Sequence, residues 1–81
     1  MIVPSRTFQK QFGRLDAQVQ RRVIEKVEAL DASLRTWRHE RLHGRSEYKL
    51  RVGDWWVLYQ FDFTKNELHL LTVRHRREVY R

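Results

Sequence analysis

The sequence predicts an α+β domain, an N-terminal helical hairpin packed on a small, mainly antiparallel twisted sheet, with residues 1–81 forming one unit. Three observations carry this reading. Eighty-one residues suffice for a single core. Apolar residues recur every three or four positions as far as Leu34, the period of a helix, and every two positions from Tyr48 onward, the period of a half-buried strand. The chain has no cysteine, so disulfides and thiolate metal sites are excluded and packing has to hold the fold. The bulk for that packing comes from Phe8, Phe12, Trp37, Trp55, Trp56, Phe61 and Phe63.

Met1-Ile2-Val3 reads as a short strand ending at Pro4, which cannot donate to a ladder. Ser5 then caps a short helix that puts Phe8, Phe12 and Leu15 on one face, with Gly13 weakening its end. Asp16 caps a second helix, whose Val19, Val23, Val27, Leu30 and Leu34 form a stripe for packing on a sheet. Its outer charges, Arg21, Arg22, Glu25, Lys26 and Glu28, are spaced as solvated pairs one turn apart.

Residues 35–47 lose the helical period and contain Gly44, so they read as a connection with a short extended piece at Arg41-Leu42-His43. Beyond it, Tyr48, Leu50 and Val52 alternate with Lys49 and Arg51. Gly53-Asp54 is a two-residue hairpin loop with glycine first, Trp55 to Phe63 is a long strand, and Thr64-Lys65-Asn66 turns the chain into a last strand over Leu68 to Val73. The hairpin sets a register: Val52 opposes Trp55, Arg51 Trp56, Leu50 Val57, Lys49 Leu58 and Tyr48 Tyr59. Pleating then gives Tyr48, Leu50, Val52, Trp55, Val57, Tyr59 and Phe61 to the helices. Lys49, Arg51, Trp56, Leu58 and Gln60 take the opposite face.

Charge is unevenly spread. Residues 35–51 and 74–81 together hold ten of the basic and three of the acidic residues, so the whole formal charge of +7 lies in those two windows. That asymmetry fits a polyanionic partner, either nucleic acid or an acidic protein segment. The N-terminal MIVPSRTFQK lacks the apolar run of roughly 7 to 15 residues that a signal sequence needs. No stretch reaches roughly 18 apolar residues, so a soluble, cytoplasmic protein without membrane attachment is expected.

Several side chains have chemistry to offer. Lys49 and Arg51 beside Trp56 make a set for phosphate and an unpaired base; the same three would also arise if Arg51 only covered the indole in a cation-π contact. His39 and His43 stand four apart, but no third ligand completes a metal site. His69 lies in an apolar strand and reads as structural, whereas His75, flanked by Arg74, Arg76 and Arg77, is a candidate acid or base. Walker loop, dinucleotide fingerprint and nucleophile elbow are all missing from the sequence, and no residues suggest a metal, nucleotide or flavin cofactor. The stock of Lys, Arg, His and Tyr suits RNA cleavage by the neighbouring 2′-hydroxyl, which needs a base, cations for a crowded phosphate and an acid for the leaving oxygen.

The helical hairpin, then LHGRSEYKLRVGDWWVLYQFD, then a last strand ending in VRHRREVYR, resembles the RelE/ParE superfamily of type II toxins, on its RelE-like branch, over nearly the whole chain. The resemblance implies the RelE-like microbial RNase fold and a ribosome-dependent mRNA endonuclease that inhibits translation. A cognate antitoxin would hold it inactive, with operator DNA bound only through that complex. By position, Lys49 matches a family lysine acting as base or phosphate ligand, Arg51 a second cation for the transition state, Arg76 the arginine near the end of the last strand that serves the leaving group, and Tyr80 the tyrosine that orients the substrate nucleotide. Arg45, Trp56, Arg74, His75, Arg77 and Arg81 are the expected RNA contacts around them. One departure stands out: many RelE-like enzymes carry an arginine after the aromatic that opens the strand, and here that place is Trp56, with Arg51 or Arg74 left to compensate. The chain also ends at Arg81, which leaves no room for the extra C-terminal helix of some members. A ParE-like, non-nucleolytic inhibitor of DNA gyrase and an inactive relative kept for antitoxin binding and operator control are the other two readings.

Overall fold

The computed structural model describes residues 1–79. Its elements run β1 (Ile2–Pro4), α1 (Arg6–Gly13), α2 (Ala17–Ala32), β2 (Glu40–Arg41), β3 (Tyr48–Val52), β4 (Trp55–Asp62), β5 (Glu67–His75) and α3 (Arg76–Val79). The strands form one sheet in the order β1-β5-β4-β3-β2, in which β1 is parallel to β5 and every other pair is antiparallel. This is the expected α+β arrangement, and among the described residues no helix is long and apolar enough to cross a membrane.

Both helix starts follow from their caps. The Ser5 hydroxyl accepts from the Phe8 N–H at 3.0 Å and the Asp16 carboxylate from the Val19 N–H at 2.9 Å, each satisfying a donor the first turn leaves open. The second helix lays Val23, Val27 and Leu30 on the sheet. Leu34, the last member of the stripe, lies past the helix end yet stays buried. Against these pack Leu50, Val52, Val57, Tyr59, Leu68, Leu70 and Val73, closing one core with Phe8 from α1.

The hairpin register is the one read from the sequence, pair for pair from Val52 with Trp55 to Tyr48 with Tyr59. Gly53 has φ 62° while Asp54 stays at negative φ, as a turn with left-handed geometry only at its first central residue requires. In the next turn the Asp62 carboxylate accepts from the N–H groups of Thr64 and Lys65, and Asn66 takes the left-handed position at φ 53°.

Four features differ from the expectation. The extended piece after α2 is Glu40–Arg41, one residue earlier than Arg41-Leu42-His43. The first strand, given no partner by the sequence, runs parallel along β5. The last strand reaches from Glu67 to His75, and the chain then closes a helical turn over Arg76–Val79, so Arg76 begins a helix instead of ending a strand. Finally, β5 carries a bulge: Tyr59 pairs with Leu70 but Leu58 with Thr72, leaving Leu71 as the extra residue. The bulge is held from outside, because the Ser5 hydroxyl that caps α1 donates to the Leu71 carbonyl at 2.8 Å.

Candidate functional site

The bulge determines what the sheet shows on the side away from the helices. Strict alternation from Leu68 would send Arg74 to the core side with Leu70. The extra residue at Leu71 shifts the phase, so Leu68, Leu70 and Val73 face the helices while Thr72 and Arg74 join Lys49 and Arg51 on the other face. Two rows cross that face. One runs Arg51, Trp56, Arg74; the row behind it runs Lys49, Leu58, Thr72. With strands about 4.8 Å apart, the two arginines flank the indole across roughly 10 Å.

Trp56 departs from the platform expected for base stacking. It is only 8% exposed, and Lys49, not Arg51, sits over it, with Nζ 4.9 Å from the ring centroid. The Arg51 guanidinium instead donates from Nε to the Gly53 carbonyl at 3.1 Å. Trp56 and Leu58 are buried but lie outside the main core cluster, so they form an apolar floor beneath the cations. Set in that floor, the Thr72 hydroxyl oxygen is buried without a hydrogen-bond partner among the described residues.

The C-terminal candidates divide. Arg76 is tied to the hairpin tip: its N–H donates to the Asp54 carbonyl at 2.8 Å, and its Nε lies 3.8 Å from the Asp54 carboxylate. It therefore sits at the tip end of the face, two residues beyond Arg74. His75, expected among the RNA contacts, pairs with Trp55 and packs edge-on against it at 5.3 Å, on the helix side of the sheet. The pleat thus separates it from Lys49 and Arg51, and its Nδ1 accepts from the Arg77 N–H at 3.4 Å. Arg77 is exposed on the helical turn. Tyr80 and Arg81 lie outside the described residues.

Arg45 is on the loop before β3 and already has a partner. Its guanidinium makes a two-point bond to Glu47, at 3.0 and 3.3 Å, and that bond holds the Glu47 carboxyl below the usual carboxylate range. Of the other histidines, His69 bonds Glu67 at 3.0 Å. His39 has both ring nitrogens engaged: its Nε2–H donates to the Leu34 carbonyl at 2.7 Å, so its Nδ1 accepts from the Tyr59 hydroxyl at 2.8 Å. Burial, with nearby Tyr48 and Glu40 adding to it, pushes the Tyr59 phenol up to about 12. Among the described residues no group of three or more His, Asp and Glu is placed to hold a metal ion.

Three residues on or beside this face escaped the sequence reading. Thr72 and the facing of Arg74 depend on the bulge, whose one trace in the sequence is the doublet Leu70-Leu71 interrupting the alternation. Asp54 was read as a turn residue, and its hold on Arg76 is a tertiary contact. Glu40 pairs with Lys49 at the sheet edge, a pairing that no local pattern announces.

Comparison with known proteins places these features in context. The model of the family described as ParE toxin of type II toxin-antitoxin system, parDE, matches residues 2–80. No curated protein sequence matches the chain. Among solved structures, the isolated RelE toxin of E. coli is similar with a TM-score of 0.80 at 21% identity, over 99% of this chain and 89% of that one. The RelBE2 toxin-antitoxin complex of Mycobacterium tuberculosis gives 0.77 at 22% identity over 94% and 96%. The RelB-RelE antitoxin-toxin complex of Methanococcus jannaschii gives 0.73 at 18% over 96% and 94%. At these identities the likeness is one of fold.

Proposed function

The chain belongs to the ParE toxin family of type II toxin-antitoxin systems, within the RelE/ParE superfamily, and from that premise we propose that it acts as a ribosome-dependent mRNA endonuclease. The observation that carries the reading is the row Arg51, Trp56, Arg74 with Lys49 and Thr72 directly behind it, a cationic face over an apolar floor. In the proposed reaction the 2′-oxygen of one nucleotide attacks the adjacent phosphorus, the new 2′-O–P bond forms as the P–O5′ bond breaks, and the 2′ proton passes to a base. Lys49 serves as that base or as a phosphate ligand. Arg51 and Arg74 flank the phosphate and neutralise its non-bridging oxygens as charge builds, and Arg76 stabilises the departing 5′-oxygen, the kind of contribution fixed cations make best in a partly dry site. That oxygen takes its proton from solvent to leave as a hydroxyl. Tyr80 and Arg81 follow in the chain as nucleotide contacts. A cognate antitoxin is the proposed partner that silences the face, and the cytoplasm its place of action.

A second reading is favoured by Trp56 itself. With an indole at the centre of the face, the same surface would serve as a binding module against DNA gyrase without cutting RNA. Primer extension on messages after induction of the toxin separates the two. Breaks at fixed codon positions that vanish when translation is blocked are the expected result; intact messages together with accumulated gyrase-cleaved DNA would replace the first reading by the second.

A further inference from the structure

A second concentration of positive charge lies at the other end of the sheet, away from the hairpin tip. Arg35 stacks over Phe63 with its Cζ 5.1 Å from the ring, and Arg41 stacks over Tyr48 at 5.2 Å. Between these cations the rings are continuous: Phe63 meets Phe61 at 4.8 Å, and Phe61 meets Tyr48 at 4.9 Å. The result is a ladder of cation, three rings, cation. Each guanidinium is fixed by one hydrogen bond, Arg35 to the Phe63 carbonyl at 3.2 Å and Arg41 to the Tyr48 hydroxyl at 3.0 Å. Each therefore keeps most of its five N–H donors for something else. Arg35, Arg38 and Arg41 are all exposed and none has a carboxylate partner among the described residues. Of the acids in this region, Asp62 accepts from the following turn and Asp31 is paired with the N-terminal amine at 3.2 Å.

We infer that this ladder is a second RNA-binding surface, distinct from the face that carries Lys49 and Arg51, in which Arg35 and Arg41 take phosphates and the exposed ring of Phe63 takes an unpaired base. Planar guanidiniums already stacked and oriented match phosphate oxygens in pairs, and an exposed aromatic between cations is the arrangement that holds single-stranded RNA irrespective of sequence. An acidic protein segment fits less well. A helical peptide needs an apolar groove, and an apolar groove among the described residues lies elsewhere, lined by Ile2, Phe8, Phe12, Ile24 and Val27. Tyr48 and Lys49 are successive strand residues and point to opposite sides of the sheet, so the pleat puts the ladder and the Lys49 face on different surfaces. The inference rests on RNA being the target.

The test is equilibrium binding of the purified toxin to a single-stranded RNA of roughly 12 nucleotides at several salt concentrations. Arg35→Ala with Arg41→Ala is expected to weaken binding about tenfold at low salt and to reduce the slope of log affinity against log salt by about 1.4, two phosphate contacts at about 0.7 each. Phe63→Ala should weaken binding while leaving the slope unchanged. The Lys pair, Arg35→Lys with Arg41→Lys, checks the fold and should retain the slope with reduced affinity. A double alanine variant with parental affinity and slope would overturn the inference, as would one that binds RNA normally and loses the antitoxin, which would assign the ladder to an acidic protein. Because the readout is binding, absence of mRNA cleavage by the parent leaves this test intact, whereas a parent that binds no free RNA overturns the inference but not the proposed function, whose cleavage depends on the ribosome.

Discussion

The two faces of the sheet are made by the same strands and are governed by different physics. Toward the helices, Leu50, Val57, Tyr59, Leu68, Leu70 and Val73 are almost fully buried and interlock with Val23, Val27 and Leu30. Each contributes through area removed from water and through contacts that any methyl deletion would lose. On the other face the same strands present Lys49, Arg51 and Arg74 around a floor of Trp56 and Leu58. Like charges gathered on one surface repel, and exposed cations add little to stability. The difference teaches that stability and function are separable here by residue parity: a substitution one position along a strand changes which of the two is damaged.

The largest expected effects break that separation most directly. Lys49→Ala and Arg76→Ala should each abolish growth arrest while the fold and antitoxin binding persist, because the first loses a half-buried cation-π contact and the second an exposed ion pair, each about 0 to 1 kcal/mol. Leu30→Ala, on the buried side, should cost about 2 to 5 kcal/mol, a large share of the stability of so small a domain, and should lower activity only as far as it unfolds the protein. Thermal melts beside growth curves decide the matter. Unchanged arrest in both cation variants would remove the assignment of the face.

Trp56 is where the two kinds of role meet, since it is buried and yet central to the cationic row. Trp56→Arg is expected to raise the rate of mRNA cleavage by on the order of a hundredfold, the usual worth of one fixed transition-state donor. It should also lower the melting temperature by roughly ten degrees or more, because the floor loses a nearly buried indole. A folded variant that cuts no faster would count for the gyrase reading.

How far these faces could be read from the sequence depended on whether local pattern determined them. The hairpin from Tyr48 to Tyr59 was legible because Gly53-Asp54 admits one tight turn and strict alternation follows from it. The caps at Ser5 and Asp16 were legible for the same reason: the chemistry is local. What escaped depends on contacts distant in sequence. The parallel pairing of Ile2 with Leu68 joins opposite ends of the chain, and the bulge at Leu71 is secured by Ser5, 66 residues away. That bulge alone brings Arg74 and Thr72 to the face and leaves His75 behind it, so the composition of the site was legible while its geometry was not.

A smaller effect sharpens the account of the buried side. Tyr59 is fully buried, and its hydroxyl donates to His39. Its phenol is raised from 10.0 to about 12. The neutral form is thus favoured by folding, and its contribution is complete below pH 10 and lost as the pH rises toward 12. Between those values the parent should lose roughly 2 to 3 kcal/mol that Tyr59→Phe does not lose. At neutral pH the Phe variant should be about 1 to 3 kcal/mol less stable, since His39 Nδ1 is left without a donor. Denaturant titrations of both proteins at neutral and alkaline pH test this, and parallel curves would show that the phenol is not held neutral by the fold.

The smallest effect concerns Arg45, which lies on the exposed side but is already paired. The two bonds to Glu47 occupy one edge of the guanidinium, and the carboxylate cancels its charge toward any approaching phosphate. Glu47→Gln keeps the shape and removes the charge, so RNA binding should tighten about two- to threefold at low salt and revert to the parental value as salt screens the surface. Stability should barely move, because both partners are solvent-accessible and an exposed pair of this kind contributes about 0 to 1 kcal/mol. The sign with pH follows the same pair. The Glu47 carboxyl is depressed below 4.5 in the folded protein, so what little stability it gives is present above that value and is lost as the pH falls through the lowered one. Binding isotherms at low and high salt provide the check. An affinity indifferent to Glu47 would place Arg45 outside the RNA surface.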